Sequence, residues 1–596
     1  MSNFAGSALS STVFQNNNTT TARQITITTT GDSAFTGTMQ DGGAFALNVR
    51  KLGGGTLTMS GNNTFTGNFT IGAGALVLNT DSFSSSATML ISGSSTLRTT
   101  NAARTWSGKF GGVNSGQTFV IDGNQNLTFD SLNSATSFFA SSASATINVN
   151  SSNSAVTTFG GTSIGISATA SAANTVTIGG SGAVVVSANI VNGGASSTNS
   201  LELRNTGGVT LSGNNTFTGD LSVRSGGVLN VASLNNKGVA GVLGMSTNRV
   251  QLSLSGTTST INWTGTSDAS TDREFMLDNS GGTGTTSTAT INANGTGKMT
   301  LGGITGGGSG VVNVSRNLNL AGSGSGGAAI GNIINGVTTG GATNTMIVNK
   351  TGTTTWSLIG TNNYTGKTTV SGGTLLINGL HSDDSVVASG GGYGSTGTGH
   401  FEAGNGTTIG GSGRIKGQTS QNNSNLLLAT NGATVAPGSA AGVIGTFTLD
   451  GAGVDTTGSK ILRMGTGSKF AFNLAGDGTS SDQINFWNFV TGDMLLNNNA
   501  IDLTLTGTQV AGTYTVSLFK FYSDNGTTLT AGGITTGLTI GTIGSGITNT
   551  PTLNFNSGGN TIDLTYQVVP EPSTLALLGL TGIAAIAYRI RRNRRS

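Results

Sequence analysis

The chain carries two histidines, and both stand beside acids, in His381-Ser382-Asp383-Asp384 and in His400-Phe401-Glu402. These are the residue types of a metal site or a Ser-His-Asp arrangement, if the segment between them folds back. No nucleophile elbow, HExxH or second histidine cluster supports them, so no catalytic, metal or cofactor site is expected and the chain is not expected to be an enzyme. Asp477-Gly-Thr-Ser-Ser-Asp482 offers two carboxylates to a calcium ion, but in neither the EF-hand order nor a glycine-rich nonapeptide, and it reads as an Asx-rich turn. Trp106, Trp263 and Trp356 either stack against carbohydrate on an exposed face or fill a core. With no cysteine there is neither a disulfide framework nor a thiolate metal site.

The other chemically distinctive stretch is the C-terminus. Pro570-Glu571-Pro572-Ser573-Thr574 precedes Leu575 to Tyr588, fourteen residues without a charge, and then Arg589, Arg591, Arg592, Arg594 and Arg595 close the chain. The two prolines end the last strand and hold Glu571 on a stiff, accessible stretch. The Leu- and Ala-rich run favours helix, and with Ser573, Thr574, Ile590 and snorkelling arginines it predicts a marginal membrane span. The arginines belong on the cytoplasmic side, which places everything before Pro570 outside. An N-terminal export signal is then required, and Met1-Ser-Asn-Phe-Ala-Gly-Ser-Ala-Leu shows neither a basic nor an apolar region, so a missing upstream segment is expected.

Val568 to Ser596 resembles the PEP-CTERM sorting signal of bacterial surface and exopolymer-associated proteins, with motif, apolar helix and arginine cluster in order. The resemblance implies an exosortase-like membrane enzyme as partner, acting at Pro570, Glu571 and Pro572. It also implies transient contact with the bacterial membrane and residence in the envelope, at the cell surface or outside the cell.

Composition bounds the rest. Glycine is 99 of 596 residues, proline 4, and charged residues are 8%. Glycine without a three-residue period excludes collagen, and low charge argues against the usual disordered chain. A flexible low-complexity polymer, or strands with Gly and Asn at the turns, remains. The five tail arginines account for the basic balance, since without them 21 basic residues face 23 acidic ones. The body has no clustered Lys and Arg for nucleic acid.

Three copies of one pattern stand far apart, near 51–78, 204–231 and 350–377. Lys51-Leu-Gly-Gly-Gly-Thr-Leu-Thr-Met-Ser60 leads into Gly61-Asn-Asn-Thr-Phe-Thr-Gly67, a second strand, a Gly turn and a third strand to Leu78. The second copy has Gly213-Asn-Asn-Thr-Phe-Thr-Gly219, with Arg204 and Asn205 where the lysine falls, and the third has Lys350 and Gly360-Thr-Asn-Asn-Tyr-Thr-Gly366. Leu, Val and Ile alternate with Thr and Ser, so each strand buries one face. One unit cannot bury its own face, so stacking is the stable solution. Phe65, Phe217 or Tyr364 can fill the corner of such a core, and stacked asparagines can form ladders along one. These copies resemble the autotransporter-associated β-strand repeat, which implies a secreted β-solenoid. An autotransporter passenger would need a membrane barrel at the C-terminus, where this chain has its arginines.

The expected fold is therefore all-β: an elongated right-handed parallel β-helix or β-solenoid with a β-rich C-terminal cap and one C-terminal transmembrane helix. Residues 1–45 form a β-rich segment, 46–458 the solenoid, 459–567 the cap and 568–596 the sorting signal. Gly-rich 302–345 is either degenerate coils or irregular chain. A structural or adhesive role in the surface or exopolysaccharide matrix follows, with extracellular polysaccharide or other matrix polymers as partners and no nucleic acid. The rivals are a β-helix enzyme or binder acting on polysaccharide and a permanently tail-anchored surface protein.

Overall fold

The computed structural model describes residues 12–169, 173–194, 198–254, 256–277, 286–307, 315–335, 345–382, 401–417, 425–451, 461–489, 492–522, 537–569 and 583–591. The apolar alternation resolves into short strands that each bury one face. In Leu47–Leu52, for example, Leu47, Val49 and Lys51 are buried while Asn48, Arg50 and Leu52 are half-exposed. The chain divides into two units: Met1–Trp356 with Asn362–Gly366 and Ser385–Gly391, and Ser357–Thr361 with Lys367–Asp384 and Gly392–Ser596.

In the first unit the strands build parallel sheets, each strand pairing with one a full turn of chain away. One sheet runs from Arg23–Thr28 to Asn189–Gly193 in eight strands. A second runs from Ser33–Phe35 to Ala328–Ile334, and a third from Arg104–Trp106 to Thr345–Lys350. Registers stack like on like: Leu57 pairs with Leu76, Leu76 with Leu97 and Leu97 with Ile121. All four side chains are buried, and each such side chain contributes about 1.5–3 kcal/mol by leaving water. These stacked parallel sheets are those of a β-solenoid.

The repeat corners show why their residues recur. Asn63, Asn215 and Asn362 are all at most 1% exposed, as are Phe65, Phe217 and Tyr364. Asn215 accepts a bond from the Ile190 amide at 2.8 Å and donates to the Val242 carbonyl at 2.9 Å, so one side chain pairs two buried backbone groups on neighbouring rungs. The Lys51 ammonium turns back to the carbonyls of Gly53 and Ala73, each at 2.9 Å. Lys350 does the same to Thr351 at 2.7 Å and Gly352 at 2.9 Å. Burial lowers both lysines to about 8. In the second copy Asn205 takes this role, donating to Gly179 and Gly182 at 2.9 and 3.0 Å. The departure from the lysine pattern is thus a neutral replacement for a carbonyl cap.

Asparagine ladders lie on strand faces. Asn262 donates to Asn230 and Asn292 to Asn262, both at 2.8 Å, and Asn349 donates to Asn319 at 3.1 Å. The parallel in-register pairing of these strands sets each amide over the next. Within Gly-rich 302–345, the strands Met299–Gly306, Ser315–Ala321, Ala328–Ile334 and Thr345–Lys350 join these sheets. Residues 308–314 and 336–344 lie outside the described residues.

The second unit has the same construction. Thr374–Ile377, Thr408–Gly411, Thr434–Pro437, Lys469–Ala475, Asn499–Thr506 and Leu538–Ile543 form one parallel run. Leu380–Ser382, Arg414–Lys416, Thr446–Asp450, Gln483–Trp487 and Gly512–Tyr522 form another. Thr561–Val568 then enters antiparallel between Gly512–Tyr522 and Ile547–Asn556. The turn into it ends at Asn560, whose φ of 49° is the left-handed conformation asparagine tolerates.

Of the expected C-terminal transmembrane helix, Leu575 to Gly582 lie outside the described residues. The described helix spans 583–591, nine residues that are exposed throughout. Among the described residues no helix is long and apolar enough to cross a membrane.

Candidate functional site

The final strand delivers the C-terminal signal. Thr561–Val568 is paired on both sides, and the Val569 amide donates to the Gly546 carbonyl at 2.9 Å, so the ordered sheet runs up to the motif. Arg589 and Arg591 sit on the exposed helix 583–591. Pro570, Glu571, Pro572, Arg592, Arg594 and Arg595 lie outside the described residues.

The other sequence candidates resolve differently. His381 is 0% exposed in Leu380–Ser382 and meets the Phe401 ring edge-on at 4.9 Å, a packing contact. Glu402 pairs with Lys367, and Asp383, Asp384 and His400 lie outside the described residues. Among the described residues no group of three His, Asp or Glu could hold a metal. Trp106, Trp263 and Trp356 are all 0% exposed. Their indole N–H groups donate to the carbonyls of Lys109, Gly297 and Ala321 at 3.1, 2.8 and 3.0 Å. Of their two readings, core packing is the observed one.

Asp477 and Asp482 form a turn. Asp477 accepts from the Thr479 amide at 3.1 Å and hydroxyl at 2.7 Å. Asp482 is 0% exposed and accepts from the amides of Gly445 and Asn473 at 2.7 Å and from the Asn473 side chain at 2.8 Å. Burial pushes its carboxyl up to about 6, while the three donors pull the other way. The folded chain therefore takes up this proton before the unfolded chain, whose carboxyl titrates near the ordinary 3.8. The contribution to stability is fully present below about 3.8 and is lost as pH rises through about 6. In Asp482→Asn unfolding melts, this pH dependence between about 4 and 6 is expected to vanish, because the amide gains no proton in that range.

Sequence reading did not single out a cleft of about 360 Å³ on the first unit. Strand registers align Thr118, Thr146, Thr177, Glu202, Ser222 and Gln251 in one outward column, one residue per rung. Glu202 is 8% exposed, and its carboxylate lies 3.0 Å from Arg204 and 3.8 Å from Arg224. Asp220 accepts from Gln251 and Asn248, both at 2.8 Å. The acids are thus held by internal partners, and the wall presents hydroxyl and amide groups at the rung repeat of about 4.8 Å.

A second missed feature is the fourth tryptophan. In the second unit Ile484 and Phe486 point inward, which leaves Trp487 40% exposed, and Phe519 and Phe521 leave Tyr522 37% exposed. The period-two phase of these strands was the available signal.

Residues 49–78, 201–231 and 348–377 each match the family model of the passenger-associated-transport-repeat, and residues 568–592 match that of the PEP-CTERM protein-sorting motif. A search of curated proteins finds no match. Both expected resemblances are thereby found, at the expected places. The sorting motif implies export to the envelope or beyond and processing by an exosortase-type membrane enzyme.

Proposed function

We propose that the chain is a structural or adhesive β-solenoid, processed through its C-terminal signal and placed in the cell surface or its extracellular polysaccharide matrix. The sorting motif at 568–592, directly after the last sheet strand, carries this reading. Ladders of Asn, Thr and Ser on the outer faces support polymer contact, because repeated weak hydrogen-bonding sites gain strength by avidity. Right-handed winding is the expected sense for parallel crossovers, and the antiparallel strands Ile547–Asn556 and Thr561–Val568 serve as part of a C-terminal cap on an otherwise open sheet edge.

Mass spectrometry of the extracellular form should find no peptides beyond the Pro570 region. Intact tail peptides there would sink the processing claim. The role proposed is non-catalytic: Glu202 is already engaged by two guanidinium groups. Incubation with acidic polysaccharides is expected to release no unsaturated uronate, and release would establish a lyase instead.

A further inference from the structure

We propose that Trp487 and Tyr522, with Arg414 and Lys520, form a binding platform for an acidic polysaccharide on the second unit. This deepens the polymer-contact reading above by naming a site and a charge class. Trp487 and Tyr522 are direct register partners on adjacent strands, facing outward. Their rings lie 5.5 Å apart at 54°. The Arg414 guanidinium sits 4.5 Å from the Trp487 ring centroid and the Lys520 ammonium 5.1 Å from that of Tyr522. The result is a cation, indole, phenol, cation run along one sheet face.

The placement departs from the rest of the molecule. The other three tryptophans are 0% exposed, and neighbouring outward positions on this sheet are Thr446, Thr448, Gln483 and Asn485. Exposed aromatic edges and faces suit the C–H surface of a pyranose ring. The nearby acid, Asp450, is 0% exposed, accepts from Asn488 at 2.5 Å and offsets the charge of Arg414, with which it pairs. Lys520, over the Tyr522 ring, then supplies the cation complementary to a uronate carboxylate. Bases of a single-stranded nucleic acid also stack on exposed aromatic faces beside cations, so an oligonucleotide is the competing ligand in the test.

The test uses the purified full chain, so a failure of sorting in cells leaves it untouched. Binding to polygalacturonate, dextran and a single-stranded oligonucleotide is measured at two salt concentrations. We expect salt-sensitive binding of polygalacturonate above dextran. Trp487→Ala should weaken it about tenfold, and Lys520→Gln about threefold with a smaller salt dependence, both variants keeping the β circular dichroism and melting profile of the parent. Polygalacturonate binding indifferent to Trp487→Ala overturns the site while leaving polymer contact through other faces intact. Tighter binding of the oligonucleotide with the same dependence on Trp487 overturns the ligand class.

Discussion

Trp263→Ala is expected to lower the unfolding free energy by about 3–5 kcal/mol, the range for deleting a buried aromatic side chain. Trp263 is 0% exposed and closes the strand Thr258–Trp263, whose Ser259 and Ile261 point inward beside it. Its N–H donates to Gly297 at 2.8 Å, so truncation both opens a cavity and orphans a buried carbonyl. The surrounding backbone is shaped to the indole: a methyl group added at Gly265 or Gly295 would collide with it. Collapse into the void is limited because the stacked rungs hold those glycines in place. Trp487→Ala, at an exposed position, should stay within about 0.5 kcal/mol of the parent. Denaturant melts of the two variants decide the matter, and equal losses would mean that Trp263 does not anchor the stack.

The same comparison shows what could be read before the structure. Ile261 and Trp263 share a phase, as do Ile484 and Phe486, so the inward position of Trp263 and the outward position of Trp487 were both written in the alternation. The repeat strands and their Gly-Asn-Asn corners were equally legible, since turn chemistry is local. The duty of Lys51 was not. Nothing in Lys-Leu-Gly-Gly-Gly says that the ammonium folds back onto Gly53 and onto Ala73 in the next rung. The cleft was also hidden, because Thr146, Thr177, Glu202, Ser222 and Gln251 meet only when each rung length is known. Those lengths vary: Thr146 and Thr177 are 31 residues apart, Glu202 and Ser222 only 20. At the C-terminus the apolar run and its arginines were plain, because composition alone shows them.

Gly295→Ala is expected to destabilise the first unit by about 1–3 kcal/mol, and more if the rungs cannot part. A methyl group there would collide with the Gly265 carbonyl, and one on Gly324 with the Gly295 carbonyl, so these three glycines form a column of backbone laid on backbone. None of the three has a positive φ, so the cost arises from close approach alone and not from backbone conformation. Gly54 supplies the control, with open space around its missing side chain and no positive φ. Gly54→Ala should be neutral or stabilise by about 0.4–1 kcal/mol, through the smaller entropy of its unfolded chain. Comparing the two melts therefore asks what 99 glycines are for. If both substitutions behave alike, the glycine content reflects a permissive low-complexity sequence. If Gly295→Ala alone is costly, much of it reflects rungs about 4.8 Å apart whose turns have no room for a side chain.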